Sequence, residues 1–135
     1  MNHEHFIRYC LHLAFKAKGK TGINPMVGAC LVHSGNIIAE AYHEQFGGLH
    51  AERNLLQNLQ MLSFNYAQDD ICLYVNLEPC CHQGKTPPCT DIIIQSGIKN
   101  VVFGMYDPNP LFAGQGIMAL QQVGINLAGP LIPDV

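Results

Sequence analysis

Ile71-Cys72-Leu73-Tyr74-Val75-Asn76-Leu77-Glu78-Pro79-Cys80 is the stretch on which the reading of this chain turns. Ile71 to Leu77 reads as a buried strand, and Pro79-Cys80 follows at its end. Downstream, Cys89 to Ser96 reads as a helix carrying Ile92 and Ile93 and closed by Gly97. Asn100 to Met105 reads as a strand, Gln115 to Val123 as a helix closed by Gly124, and Ile125 to Ala128 as a last short strand. Upstream, Gly47-Gly48 opens a loop, and His50 to about Leu62 has helical spacing through Ala51, Leu55, Leu59 and Leu62. Before it, Val27–His33 and Ile37–Tyr42 are two apolar runs joined by the hairpin signal Ser34-Gly35-Asn36. From His5 to about Lys18, Phe6, Ile7, Cys10, Leu11, Leu13, Ala14 and Phe15 recur at helical spacing, and Gly19 ends the run. The order α-β-β-α-β-α-β-α-β predicts a three-layer α/β/α domain around a mixed five-stranded sheet. The opening hairpin makes part of it antiparallel, and the later β-α-β units make the rest parallel, with right-handed crossovers. Sites in such sheets lie beyond the carboxyl ends of strands. His50 and Cys89 open predicted helices and Cys80 follows a predicted strand, so the three are expected to meet at one edge of the sheet.

Those three residue types carry a chemistry. Zinc takes imidazole nitrogen and thiolate sulfur in a tetrahedral site, and a catalytic zinc keeps three protein ligands and one open place. His50, Cys80 and Cys89 supply three. Two thiolates and a neutral imidazole leave the site formally neutral, and a water in the fourth place ionises near neutral pH. Glu52 is a poor fourth ligand, because two residues along a helix turn it about 200° from His50 around the axis. In the first turn it still reaches the water, to take its proton and pass it to a leaving group. Cys81 adjoins Cys80 and reads as a packed neighbour. His82 reads as a solvated or supporting residue, although either one closing the fourth position would make the site structural. Glu78 has one further reading, as a residue that orients backbone near the metal loop.

The bulk numbers leave room for little else. A chain of 135 residues is expected to form a single domain, 1–135, and to bury roughly two thirds of its unfolded surface. The apolar fraction of 48% is ordinary, but only 13% of residues are charged, so self-association into a homodimer or homotetramer is expected to cover apolar surface. A net charge of −3 gives no reason to expect a nucleic-acid partner, and Lys16, Lys18 and Lys20 read as a solvated face. No apolar run approaches the ~20 residues of a membrane span. The six cysteines are not read as a disulfide set: Met1-Asn2-His3-Glu4-His5 lacks a signal-peptide pattern. Cys10, Cys30 and Cys72 sit in apolar periodic stretches as buried thiols, which fits a reducing cytoplasm. His3, His5, His12 and His33 have no partner pattern.

Five blocks then follow one another: Asn24-Pro25-Met26-Val27-Gly28, His50-Ala51-Glu52, Leu77-Glu78-Pro79-Cys80, Gly84-Lys85-Thr86-Pro87-Pro88-Cys89 and Asp107-Pro108-Asn109-Pro110. The His-x-Glu and Pro-Cys…Cys order is that of zinc nucleobase deaminases, whose pattern is Pro-Cys-x-x-Cys. Here residues 81–88 separate the two cysteines instead. With that long insert, the chain resembles the deaminase domain of riboflavin biosynthesis, from its first helix to about Gly129. The resemblance implies a cytidine deaminase-like fold, one zinc on His50, Cys80 and Cys89, and Glu52 as proton shuttle. It implies hydrolysis of the 2-amino group of 2,5-diamino-6-ribosylamino-4(3H)-pyrimidinone 5′-phosphate to the pyrimidinedione and ammonia. It also implies a substrate pocket lined by Asn24, His43, Lys85, Thr86, Asp107 and Asn109. Asn24 offers a donor and an acceptor. Lys85 offers a compact charge for the phosphate, with Gly84 and Thr86 as further donors beside it. Each also has a plainer reading: a turn for Asn24-Pro25, a surface histidine for His43, a solvated lysine for Lys85, and a stiff loop with an Asx-turn for Asp107-Pro108-Asn109-Pro110.

Ala41 departs from the glycine that many relatives carry before Tyr-His. Many relatives also continue into an NADPH-dependent reductase. This sequence of 135 residues is too short to hold that reductase half, so it reads as either an excised domain or a stand-alone deaminase, and without a Gly-rich dinucleotide motif no nicotinamide cofactor is expected. Two other readings remain, a deaminase of another nucleobase or nucleoside and a non-catalytic zinc-stabilised binding module. The long cysteine gap argues against the first, and three ligands with a carboxylate argue against the second.

Overall fold

A hairpin turn sets the first half of the sheet. Ser34 and Gly35 both take positive φ, 51° and 82°, as a two-residue turn matched to the twist of its strands requires. His33 therefore pairs with Asn36, and β1 (Gly28–His33) runs antiparallel to β2 (Asn36–Tyr42), with one register shift between Leu31 and Val32. The computed structural model describes residues 2–20, 26–44, 50–56, 70–80 and 89–131. The remaining elements are α1 (His3–Phe15), α2 (Ala51–Leu56), β3 (Ile71–Leu77), α3 (Cys89–Ser96), β4 (Asn100–Met105), α4 (Gln115–Gln122) and β5 (Asn126–Ala128). The strands lie in the order β2-β1-β3-β4-β5. β1 is antiparallel to β3, while β3, β4 and β5 are mutually parallel. The expected mixed five-stranded sheet and element order are both found.

Both faces of the central strands are covered. Ala29 and Leu31 of β1 join Leu73, Val75, Val101 and Phe103 in one core, closed by Leu55 of α2, Ile93 of α3 and Leu120 of α4. Their neighbours Cys30 and Val32 turn the other way and pack with Tyr74 under Phe6, Ile7 and Cys10 of α1. This two-sided burial explains why β1 and β3 read as nearly continuous apolar runs rather than alternating ones. Each large side chain buried this fully contributes roughly 1.5–3 kcal/mol.

Element ends differ from expectation for local reasons. α1 begins at His3 rather than His5, because the side chain of Asn2 accepts the His5 N–H at 3.2 Å and caps the helix. It ends at Phe15 rather than Lys18. The N–H groups of Lys16, Ala17 and Lys18 bond three residues back, to Leu13, Ala14 and Phe15, and Gly19 at φ 82° closes the turn. β5 begins one residue late, at Asn126, because the Ile125 N–H is still bonded to Leu120 of the preceding helix. The second helix is seen from Ala51 to Leu56; Leu59, Leu62 and the Gly47-Gly48 loop lie outside the described residues. No disulfide joins Cys10, Cys30, Cys72, Cys80 or Cys89 among the described residues, and Cys72 is half-buried rather than buried. No helix among the described residues is long and apolar enough to cross a membrane.

α1 lies directly on the start of β1. A Cβ at Gly28 would run into the carbonyl oxygen of Cys10 and the amide of Ala14, both backbone atoms that cannot rotate away. Gly28→Ala is expected to destabilise the fold by about 1–3 kcal/mol through overpacking. Urea unfolding should show a lower midpoint at unchanged slope.

Candidate metal centre and active site

The site is built where β3 ends. Cys80 is three residues past Leu77, and its sulfur and carbonyl both face the start of α3. The Cys89 N–H lies 3.3 Å from Cys80 Sγ, and the Thr90 N–H donates to the Cys80 carbonyl at 3.1 Å. Two of the unpaired donors that open any helix are thus satisfied by Cys80. The same geometry draws Cys89, the first residue of α3, against Cys80. His50 immediately precedes α2, and its Nδ1 lies 3.7 Å from Cys80 Sγ and 3.3 Å from Cys89 Sγ. All three ligand atoms fall within 4.8 Å of one another.

Those separations fit a metal. Tetrahedral zinc, with Zn–S of about 2.3 Å and Zn–N of about 2.0–2.1 Å, sets nitrogen and sulfur about 3.6 Å apart. Electrostatics agree with that donor set. Hydrogen bonding with Cys89 holds the Cys80 thiol down to about 4; burial opposes this, while His50 and the Cys89 backbone N–H reinforce it. Cys80 is therefore disposed to be the thiolate that binds a metal. Among the described residues, His50, Cys80 and Cys89 form a candidate metal site of three ligands.

Glu52, in the first turn of α2, is 3% exposed. Burial pushes its carboxyl up to about 7, the nearby Cys80 adds to the rise, and His50 opposes it. A carboxyl held this way beside a metal site exchanges protons near neutrality.

The other expected site residues divide. His43 is no surface histidine: it is 2% exposed, its ring meets that of His50 edge-on with centroids 5.4 Å apart, and its N–H bonds to Val27. Asp107 and Asn109 follow β4. Asp107 Oδ1 accepts the Asn109 N–H at 2.9 Å, and Asn109 Oδ1 accepts the Leu111 N–H at 3.0 Å. One oxygen of each side chain is thus engaged in a stiff Asx-turn series. Asn24, Lys85 and Thr86, with Gly84, Cys81 and His82, lie outside the described residues.

Sequence reading passed over two residues. Asn76 is buried near the end of β3, where its Oδ1 accepts the Gly28 N–H at 2.7 Å and its Nδ2 donates to Met26 at 3.1 Å. It thereby holds the residues that follow Asn24 in the chain. Gly116, in the first turn of α4, has no room for a Cβ because the Pro79 carbonyl occupies that place. The signal for Asn76 was present, since an amide in an otherwise apolar strand needs buried partners. For Gly116 there was none.

Residues 1–105 match the family described as the cytidine and deoxycytidylate deaminase zinc-binding region. The chain belongs to that family. It is 43% identical over 132 residues to the riboflavin biosynthesis protein RibD of Actinobacillus pleuropneumoniae, an alignment covering 96% of this chain and 33% of that protein. The diaminohydroxyphosphoribosylamino-pyrimidine deaminase of Buchnera aphidicola is 44% identical over 107 residues, covering 79% of this chain and 69% of that one. A crystal structure of the Thermotoga maritima diaminohydroxyphosphoribosylaminopyrimidine deaminase/5-amino-6-(5-phosphoribosylamino)uracil reductase superposes with a TM-score of 0.85 at 44% identity. That match covers 96% of this chain and 36% of the other. The chain thus spans about a third of the length of the first and third of these relatives.

The purified chain is expected to carry one zinc per molecule by elemental analysis, and Cys89→Ala to lose most of it. Stripping the metal with a chelator should lower Tm, since a ligand held at a thousandfold excess over its Kd adds about 4.1 kcal/mol of stability.

Proposed function

We propose that residues 1–135 act as a zinc-dependent aminohydrolase domain on 2,5-diamino-6-ribosylamino-4(3H)-pyrimidinone 5′-phosphate. The 2-amino group leaves as ammonia, and the product is the 5-amino-6-ribosylamino-pyrimidinedione 5′-phosphate. The observation that carries this reading is Glu52, buried at 3% exposure beside a three-ligand site. A scaffold needs no carboxylate there. The five blocks and the names of the relatives support the choice of substrate.

Zinc held by His50, Cys80 and Cys89 would supply Lewis acidity and an activated water. The chain's own residues do the rest. Glu52 takes the proton that the attacking water gives up and returns it to the departing nitrogen, so the amine leaves as neutral ammonia. The His43 ring meets that of His50 edge-on, which helps to fix the orientation of the ligand ring. Asp107 and Asn109 contribute a loop already held rigid by its own turns, which lowers the ordering cost of binding. Asn24, Lys85 and Thr86 complete the pocket in this reading, with Lys85 on the phosphate.

The proposal includes a cytoplasmic homodimer or homotetramer. Leu111, Met118 and Val123 are exposed at 73%, 58% and 54%, more apolar surface on and around α4 than a charge-poor monomer comfortably presents to water. Light scattering is expected to give a mass of two or four chains.

Ammonia release from the ribosylamine phosphate, with cytidine as the comparison substrate, tests the reaction. Turnover on the first alone is the expected result; turnover on cytidine would move the chain to another branch. Glu52→Gln is expected to keep one zinc and lose about 10²–10⁴-fold in kcat. An unchanged rate would remove Glu52 from the chemistry.

A further inference from the structure

Glu78 is 4% exposed, and its carboxylate accepts three backbone N–H groups from two separate segments. Oε1 takes those of Asp107 and Gly114, each at 2.9 Å, and Oε2 takes that of Ile117 at 3.0 Å. Gly114 and Ile117 are the N-cap and third residues of α4, the two positions whose donors a capping box satisfies. Gly114 has no side chain to cap with, so Glu78 caps α4 from another strand. Its charge is met by amide donors and by the positive end of that helix.

The Asp107 bond has no part in capping. It ties the loop after β4 to the turn that delivers Cys80, and the tie continues outward. Asp107 holds the Asn109 N–H and Asn109 holds the Leu111 N–H. On the other side, the Glu78 N–H donates to Met105 at 2.8 Å, carrying the β3–β4 pairing one step beyond Leu77. Pro79 packs against Gly116 with no space between them. Glu78 is therefore the shared member of three structures: the metal-binding turn, the Asp107–Asn109 loop and the start of α4.

We propose that Glu78 is a positioning residue, which sets the Asp107–Asn109 loop at a fixed place relative to the Cys80 ligand. As a statement about substrate recognition it rests on the function proposed above; as a statement about geometry it does not. The test therefore has two arms, both using the zinc-loaded chain and Glu78→Gln, whose amide nitrogen faces N–H groups that the carboxylate accepted.

The first arm is amide hydrogen exchange by NMR. In Glu78→Gln the amides of Asp107, Asn109 and Leu111 are expected to lose protection together with Gly114 and Ile117, while zinc content stays at one and the β3–β4 ladder stays protected. Loss confined to Gly114 and Ile117 would reduce Glu78 to a helix cap and overturn the proposal, whatever the substrate proves to be. The second arm is kinetic. KM for the ribosylamine phosphate is expected to rise on the order of 10-fold or more in Glu78→Gln, with a smaller change in kcat. Leu120→Ala, which loosens the α4 core, serves as the stability control and should lower Tm with KM unmoved. Equal KM in wild type and Glu78→Gln would also overturn the proposal. If wild type shows no turnover while the first arm succeeds, the substrate assignment has failed and the positioning role stands. Should Glu78→Gln not fold, wild type decides: Asp107 and Ile117 amides opening at one common rate support the proposal, and a freely exchanging Asp107 amide beside a protected Ile117 overturns it.

Discussion

Three ligand atoms, two sulfurs and an imidazole nitrogen, from three separate segments must meet within 4.8 Å, and the rest of the architecture answers to that requirement. A metal tolerates errors of only a few tenths of an ångström in its donors. Flexible segments would lose much entropy in reaching such precision, so the ligands are attached where the backbone is already fixed. Cys80 follows the middle strand of the sheet, Cys89 starts one helix, and His50 immediately precedes another. Both helices lie on the same face of the sheet, where Leu55, Ile93 and Leu73 share one core. The hydrophobic packing that holds α2 and α3 to the sheet is therefore also what holds the ligands together.

That arrangement makes the end of β3 unusual in composition. Most of the strand is buried and apolar, yet Asn76 and Glu78 are buried polar groups at 6% and 4% exposure. Burying them without partners would cost several kcal/mol. Each instead binds backbone from a segment beside the site: Asn76 the Met26–Gly28 stretch, Glu78 the Asp107 loop and α4. No buried side-chain nitrogen or oxygen among the described residues lacks a partner. The cost of polar burial at this strand end is offset by fixing the loops around the metal.

The parts of the molecule legible in the sequence are those with a local cause. Ser34-Gly35 gives its hairpin away because positive φ at both positions needs such residues. The helix from Cys89 ends at Gly97 as read, since Gly97 adopts φ 81° there. The cluster of His50, Cys80 and Cys89 was legible because metal chemistry restricts residue type and the deaminase pattern restricts their order. What stayed hidden depends on contacts between distant segments. The tight approach of Gly116 to Pro79 joins residues far apart in the chain, and a glycine after a glutamine carries no mark of it. The Asx-turns of Asp107 and Asn109 were visible as an alternative, but their coupling to Glu78 was not.

The long cysteine gap is compatible with a compact three-ligand cluster. Zinc deaminases that use Pro-Cys-x-x-Cys place the second ligand almost at once; here residues 81–88 intervene. Quadrupling a loop from two residues to eight adds only about 1 kcal/mol of closure entropy. Cys80 supplies what is needed to absorb it, because its sulfur and carbonyl accept the first two N–H groups of α3. Those two bonds tie the start of α3 directly to Cys80. The spacing between the two cysteine ligands can therefore lengthen without a large entropic penalty.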